Sequence, residues 1–241
     1  MLVLALDTTS EHGGAALFRD GQCLAEDASE SAAGYSVTLF QMVNRLLEVA
    51  RAKYTVPLRG LADVELYAVA NGPGSFTGIR VGLAAALAWA KAFGRPAFGV
   101  SILEAMVDEA RPETDLAVPI LDARRNELYR AVFRRSETRG GAFLAESEGE
   151  LLRPALLAKS FVELLRSGAT ITCLVREHDR LAASLRESLP AEIRWQSISG
   201  LLLAAIARRA LMALQQGRTR SPAALDACYI RRTDAELHWK E

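Results

Sequence analysis

Histidine and cysteine are scarce in this chain of 241 residues, and their scarcity excludes several kinds of site. The three histidines, His12, His178 and His238, lie in separate segments, so no two of them can share a metal ion from one turn of a helix. The three cysteines are equally dispersed and have apolar neighbours, which predicts free, buried thiols without a disulfide or a zinc site. Free thiols are typical of a reducing cytosol.

An excess of charge of either sign is also absent. The chain has 29 Lys and Arg against 29 Asp and Glu, so its formal net charge is zero. Proteins that bind nucleic acid unaided usually carry a strong positive surplus, and we therefore expect any contact with RNA to be indirect.

Long hydrophobic runs are missing as well. The apolar runs are short and interrupted, which argues against a membrane span. The first run, residues 2–6, has no basic region before it and meets Asp7 at once, so a signal peptide is not expected. The sequence therefore predicts a cytoplasmic protein without a membrane partner.

The most informative segment that is present is a glycine-rich run between a predicted strand and a predicted helix, Asn71-Gly72-Pro73-Gly74-Ser75-Phe76-Thr77-Gly78. Gly72 and Gly74 permit backbone angles that bulkier residues resist, and Ser75 or Thr77 can cap the helix. Backbone N–H groups at a helix start can hold an anion. Two interpretations stay open: a phosphate-type loop, or a turn whose glycines only let the helix pack tightly on a sheet.

Hydrophobic periodicity and turn residues predict alternating strands and helices along the chain. The predicted strands are 2–6, 14–19, 23–26, 66–70, 96–100, 116–121, 128–133 and 170–175. The predicted helices are 37–51, 77–93, one that starts at Ser101, 155–167, 179–189 and 199–216.

Both halves of the chain open on the same pattern, in which an apolar strand ends in an aspartate and a hairpin follows. Asp7 occupies that position in the first half and Asp122 in the second. The repeat predicts a duplicated α/β architecture with mixed β-sheets flanked by helices. We expect lobes at 1–104 and 105–241, with the final helix and the tail packing back on the first lobe.

The predicted helices 37–51 and 77–93 are apolar over about half of their circumference or more, which exceeds the stripe that a core needs. A surplus of this kind predicts an exposed face that binds a partner. The residues expected at this interface are Leu39, Met42, Val43, Leu46, Leu47, Ile79, Leu83, Ala86 and Leu87. A charge at Leu46 or Leu83 is then expected to abolish binding and to leave the fold intact. The alternative is that both helices are wedged between layers of the same chain.

Motifs spread over nearly the whole chain together resemble the TsaB family, also called YeaZ. They are Asp7-Thr8-Thr9-Ser10, the glycine-rich run with Arg80-Val81-Gly82, Asp122-Ala123-Arg124 with Glu127-Leu128-Tyr129, and Tyr229-Ile230-Arg231. The resemblance implies the actin/Hsp70-like (ASKHA) ATPase fold and a cytoplasmic bacterial protein. Its role would be in the synthesis of threonylcarbamoyladenosine beside the anticodon of ANN-reading tRNAs.

The resemblance also implies the partners of the chain. The catalytic paralogue TsaD would transfer the threonylcarbamoyl group, the small ATPase TsaE would act on the pair, and tRNA would be reached only through the complex. Alone, the chain would form a homodimer through its first two helices. The chain itself would be a scaffold and activator with no catalytic residue, no metal ligand and no required cofactor.

The resemblance and the fold it implies predict one cleft. Its expected residues, which would shape the cleft or hold weakly bound ATP or ADP with Mg²⁺, are Asp7, Thr8, Thr9, Gly72, Gly74, Ser75, Thr77, Gly78 and Arg80. Many family members carry a His-Ser pair where this chain has Tyr35 and Ser36, so a role for that histidine does not transfer. Two other functions stay open: a small ATPase or kinase that uses Asp7 and the glycine loop, and a peptidase that acts on its paralogue.

Overall fold

The computed structural model describes residues 1–30, 34–54, 58–177, 185–218 and 225–230. They form two compact units. The first consists of the described residues within Met1–Ala105 and Gly200–Cys228, and the second of those within Met106–Ser199 together with Tyr229 and Ile230.

The first unit is built on a five-stranded sheet in the order β3-β2-β1-β4-β5. Its strands are β1 (Leu2–Asp7), β2 (His12–Arg19), β3 (Gln22–Glu30), β4 (Leu66–Gly72) and β5 (Ala97–Ser101). The first three form an antiparallel meander, and β1, β4 and β5 run parallel. Every residue of β1 is buried, because the central strand is covered on both faces. The predicted strands of this unit are confirmed.

Helices cover the sheet of the first unit: α1 (Tyr35–Tyr54), α2 (Phe76–Phe93) and α5 (Leu203–Gln215), while α3 (Ile102–Ala110) follows β5. Leu2, Leu4 and Leu6 point toward the residues of α1 and α2 and share one core with them. Since alternate residues of a strand face opposite sides, the other face of β1 is left for α5, which also contacts β2, β4 and β5.

The ends of α2 are set by its sequence. Ser75 is the N-cap, and its side chain accepts a hydrogen bond from the Gly78 N–H. Gly94 ends the helix in the left-handed conformation, with φ of 62°. The predicted caps are confirmed, and Ser75 takes the N-cap position rather than Thr77.

The second unit is built on a seven-stranded sheet with the helix α4 (Pro154–Leu165). The strands are β6 (Leu116–Asp122), β7 (Leu128–Arg130), β8 (Phe133–Arg135), β9 (Phe143–Ala145), β10 (Glu150–Leu152), β11 (Ile171–Arg176) and β12 (Arg194–Ile198). The path β7-β6-β11-β12 repeats β2-β1-β4-β5, with one antiparallel pair followed by two parallel ones. The predicted duplication of mixed sheets is therefore confirmed.

Some predictions for the second unit were wrong, and others concern residues outside the described ranges. The single strand expected at 128–133 is broken in two, and β9, β10 and β12 were not predicted. The predicted helix 179–189 lies mostly outside the described residues, as does the tail after Ile230.

The cysteines are free, but their burial differs from the prediction. Cys173 is buried and Cys228 is half-buried, whereas Cys23 is exposed on β3. The prediction of three buried thiols was therefore wrong for Cys23.

The expectation that every apolar run is too short to span a membrane also needs correction. The 18 residues of α2 are long and apolar enough to do so by length and composition, and 44% of this window is buried inside the protein. A core helix of a soluble protein meets the same criterion, so length and composition do not distinguish the two for α2.

Candidate functional site

The turn that leaves β1 is a closed local structure. Asp7 and Thr8 are fully buried and Thr9 is nearly so. The Asp7 Oδ1 atom accepts hydrogen bonds from the Thr9 backbone N–H at 2.9 Å and from the Thr9 hydroxyl at 2.6 Å. This pattern is the Asx-type turn that short polar side chains form with the backbone two residues on.

The glycine loop and the first turns of α2 lie directly on the Asp7–Thr9 turn. A Cβ atom at Gly78 would stand 1.9 Å from the Thr8 carbonyl oxygen, and one at Gly74 would stand 2.4 Å from the Thr9 carbonyl oxygen. One turn further along α2, a Cβ at Gly82 would meet the Thr8 Oγ1 at 2.3 Å. Real side chains do not fit at such distances, so these glycines are required for close packing of the helix on the turn.

Hydrogen bonds tie the same elements together. The Ser75 N–H donates to the Thr9 carbonyl at 2.7 Å, and the Thr8 hydroxyl donates to the Gly78 carbonyl at 2.7 Å. The Gly78 N–H donates to the Ser75 Oγ at 3.3 Å as part of the cap. The start of α2 is thereby fixed to the end of β1.

The start of α1 is fixed to the same region. The Tyr35 hydroxyl, in the first residue of the helix, accepts a hydrogen bond from the Gly13 N–H at 2.7 Å. A Cβ at Gly13 would stand 2.1 Å from the Asp7 carbonyl oxygen and 2.5 Å from the Tyr35 hydroxyl. One small region around Asp7 therefore positions the first residues of both α1 and α2.

Part of the hydrogen-bonding capacity of the glycine loop and of Asp7 is used within the protein. The N–H groups of Ser75 and Gly78 already donate to protein oxygens. The Asp7 carboxylate is fully buried and accepts from its own turn, whereas a carboxylate that holds a hydrated Mg²⁺ has to face water. Of the two interpretations of the glycines, the geometry favours tight packing of the helix on the sheet.

The predicted cleft residues divide into three sets. Six lie together in the contacts described above: Asp7, Thr8, Thr9, Gly74, Ser75 and Gly78. Gly72 lies at the end of β4, where its close neighbours are Cys228 and Ile79. Thr77 and Arg80 instead lie on the exposed side of α2. The Arg80 guanidinium stacks over the Phe76 ring at 3.7 Å from its centroid, which places an aromatic and a cation together at the start of the helix.

The predicted partner interface requires a correction, because nearly all of its side chains are buried inside the first unit. The buried residues are Leu39, Met42, Val43, Leu46, Leu47, Ile79, Leu83 and Ala86, while Leu87 is half-buried. Side chains packed beneath the helices cannot present a free face. They form the core between the helices and the sheet. This agrees in part with the alternative interpretation, in which the two helices are wedged between layers of the same chain.

Other apolar side chains of the same helices do reach the surface. Val37 and Phe40 are 60% and 58% exposed on α1, and Ala84 and Ala88 are exposed on α2. The Phe40 ring stacks edge-on against the ring of Trp89, with the ring centroids 5.5 Å apart, so Phe40 bridges the two helices. We call Val37, Phe40, Ala84 and Ala88 the outer face.

Sequence reasoning missed the contacts of two residues, Gly13 and Asn71. Gly13 occupies a strand position, and a glycine inside a strand pattern signals close approach of another backbone. Asn71, at the end of β4, donates from Nδ2 to the Asp226 carbonyl at 3.1 Å, and no local pattern signals a contact over 155 positions of sequence.

Comparison with known proteins gives a consistent result. Residues 29–150, about half of the chain, match the family model TsaD, described as tRNA N6-adenosine threonylcarbamoyltransferase. The chain is 29% identical to the tRNA threonylcarbamoyladenosine biosynthesis protein TsaB of Escherichia coli over 71% of this chain and 70% of that protein. It is 34% identical to the protein of the same name from Bacillus subtilis over 55% of each.

A solved structure from Pseudomonas aeruginosa, described as a protein with similarity to the peptidase YeaZ, has the same fold. The two superpose with a TM-score of 0.75 over 95% of this chain and 99% of that one, at 23% sequence identity.

The duplicated mixed sheets and the aspartate turn packed against a glycine loop define a protein of the actin/Hsp70-like (ASKHA) class. Within that class, the chain belongs to the threonylcarbamoyltransferase family that the model describes and, more narrowly, to the TsaB (YeaZ) family of tRNA threonylcarbamoyladenosine biosynthesis proteins.

Proposed function

We propose that this chain is a non-catalytic scaffold and activator for a TsaD-type threonylcarbamoyltransferase, and that it binds this partner through the outer face of α1 and α2. The pair would work in the cytoplasm with a TsaE-type ATPase on ANN-reading tRNAs. One observation carries the proposal: a single buried turn at Asp7 fixes the starts of both helices.

The close packing around Asp7 supports a role in holding the outer face in place rather than a role in catalysis. In an ATPase the aspartate and the glycine loop must meet phosphate and metal, whereas here Thr8 and Thr9 occupy the space beside Gly74 and Gly78. The same packing holds α1 and α2 in a defined position, and a pre-positioned surface loses less entropy on binding than a mobile one.

The outer face has the composition of a helical docking surface. Its small residues Ala84 and Ala88 allow close approach of another helix, and Val37 and Phe40 supply apolar area beside them. A paralogue with the same fold offers an equivalent pair of helices, so two such pairs would form a four-helix bundle. The homodimer would use the same face, in competition with the heterodimer.

Light scattering coupled to size-exclusion chromatography tests the proposal directly. The chain is measured alone and mixed with the TsaD-type protein of the same genome, and a one-to-one heterodimer is expected. Phe40→Asp should weaken the heterodimer by about 2 kcal/mol or more, as expected when a central apolar anchor is replaced by a charge.

Val49→Asp is the matched control. Val49 is 50% exposed on the same helix, and nine residues separate it from Phe40, which places the two side chains on flanks about 180° apart. A heterodimer that survives Phe40→Asp as well as it survives Val49→Asp would contradict the outer face as the docking surface.

Two further measurements separate the other candidate functions. Hydrolysis of ATP that is lost in Asp7→Ala would indicate the ATPase or kinase, and no measurable hydrolysis is expected. A change in the intact mass of the partner after incubation would indicate the peptidase, and an unchanged mass is expected.

A further inference from the structure

Residues 225–228, which we call the strap, lie across the end of β4 in the first unit. The Cys228 N–H donates to the Asn71 carbonyl at 2.7 Å, and the Asn71 side chain donates from Nδ2 to the Asp226 carbonyl at 3.1 Å. Leu225 and Ala227 pack against the core that the sheet shares with α1 and α2. The strap is therefore held by both hydrogen bonds and apolar contacts.

The end of β4 is shaped to receive the strap. The parallel register between β4 and β5 shifts there, so that Ala70 pairs with Val100 and Gly72 with Ser101, and Asn71 is left between them. The Asn71 carbonyl and side-chain Nδ2 both bond to the strap at this irregularity. The Asn71 Oδ1 atom is buried and has no hydrogen-bond partner in the described part of the chain, an unfavourable feature that the bond from Nδ2 to the strap offsets.

Two glycines leave room for the strap. Gly72 has φ of +121°, and a Cβ there would stand 2.6 Å from the Cys228 carbonyl oxygen. A Cβ at Gly99 would stand 3.1 Å from the Leu225 Cδ1 atom and 3.0 Å from the Asn71 Nδ2 atom. A side chain at Gly72 would push the strap away, and one at Gly99 would crowd it.

The strap and the Asp7 turn hold the glycine loop at successive points. Gly72 touches the strap through Cys228, and two residues later Gly74 touches the Thr9 carbonyl. Ser75, the N-cap of α2, follows at once. Gly72 is also close to Ile79 in the first turns of α2, since a Cβ at Gly72 would lie 3.2 Å from the Ile79 Cδ1 atom.

We infer that the strap is a latch in cis, which fixes the glycine loop and the first turns of α2 and thereby sets the outer face for its partner. The inference rests on the proposed function for the partner's identity, but the latch itself does not depend on it. Asn71 acts as a positioning residue, because it touches the strap and does not belong to the outer face.

The test uses full-length variants that loosen the strap. Leu225→Asp removes the apolar anchor and Asn71→Ala removes the bond to the Asp226 carbonyl, while Leu156→Asp, at a site 51% exposed on α4, is the control. Amide hydrogen exchange is measured at Cys228 and over residues 75–79, together with the affinity for the TsaD-type protein of the same genome.

We expect exchange at Cys228 and over residues 75–79 to accelerate about tenfold or more in both strap variants and to stay unchanged in the control. The affinity for the partner should fall about tenfold, since a loosened α2 must be ordered on binding. If Leu225→Asp does not fold, Gly99→Ala replaces it, because its added methyl group crowds the strap more gently.

Faster exchange at Cys228 with unchanged exchange over residues 75–79 would overturn the latch. Unchanged exchange at both places would overturn the assignment of Leu225 and Asn71 as anchors. Absence of any complex with the unaltered chain would instead refute the proposed function, and the exchange data would still decide on the latch.

Discussion

Gly78 shows how much of this site depends on the absence of a single methyl group. Its hypothetical Cβ would overlap the Thr8 carbonyl, which is backbone and cannot rotate away. The contact links the central strand to the start of α2, so a change at this position reaches both the core and the outer face.

Gly78→Ala is therefore expected to lower the free energy of unfolding by about 3 kcal/mol, in spite of the better helix propensity of alanine. Urea unfolding followed by circular dichroism measures the change. Gly94→Ala is the control, because a Cβ there meets open space and only the left-handed conformation opposes it, at about 1 kcal/mol. Equal losses in the two variants would contradict the close contact with Thr8.

Tyr67 makes the stability of the protein sensitive to alkaline pH. Burial raises the pKa of Tyr67 to about 12, and its hydroxyl donates to the Leu61 carbonyl at 2.8 Å. Below pH 10 the phenol is neutral in both the folded and the unfolded chain, so this difference leaves the stability unchanged.

Between pH 10 and about 12 the unfolded chain loses the Tyr67 proton and the folded chain keeps it, so the free energy of unfolding falls as the pH rises. The loss from this residue approaches about 2 kcal/mol at the upper end. Urea unfolding at pH 9 and pH 11.5 should show a smaller difference for Tyr67→Phe than for the unaltered chain. The same pH dependence in both proteins would assign the effect to other groups.

At the scale of the element, α1 is an amphipathic helix whose existence was predicted correctly and whose exposed side was not. Its buried positions follow helical spacing at residues 39, 42, 43, 46, 47 and 50, and its outward positions include Asn44, Arg45 and Glu48. The helix itself was predictable from this spacing. The interface was misplaced because the whole apolar stripe was assigned to the surface, although the polar residues mark which side faces water.

Leu46→Asp tests that correction. A carboxylate at this buried position would be desolvated among the apolar side chains of the core, so we expect a loss of about 3 kcal/mol or more in the free energy of unfolding. Thermal unfolding measures it, with Val49→Asp as the exposed control on the same helix. A folded Leu46→Asp protein of unchanged stability that fails to bind its partner would restore the original interface.

At the scale of the whole molecule, the repeated strand order was predictable because each half opens with a buried strand, an aspartate and a hairpin. The short strands β9 and β10 were not, since three residues carry too little periodicity and their pairing is decided by distant partners. The glycine loop was found from its composition. Its close contacts with Thr8, Thr9 and Cys228 depend on the assembled fold and have no local signature.

The charge balance of the whole chain leads to a prediction about RNA. With 29 basic and 29 acidic residues, the chain alone should bind tRNA with a Kd weaker than about 10 μM at 150 mM salt. Fluorescence anisotropy with a labelled anticodon stem-loop measures this, and tighter binding is expected only after the TsaD-type protein is added. Submicromolar binding by the chain alone, with a steep salt dependence, would contradict an indirect role.

The edge-on contact of Phe40 with Trp89 places a fluorescent side chain next to the outer face. Trp89 lies between the outer face and the core, with Phe40 on one side and the Tyr67 ring at 6.1 Å on another. The emission of an indole depends on the polarity and packing of its surroundings, and Phe40 is its neighbour on the outer face. The intrinsic tryptophan emission should therefore change when a partner binds, so binding can be measured in real time and without a label. Phe40→Leu should reduce this change in emission.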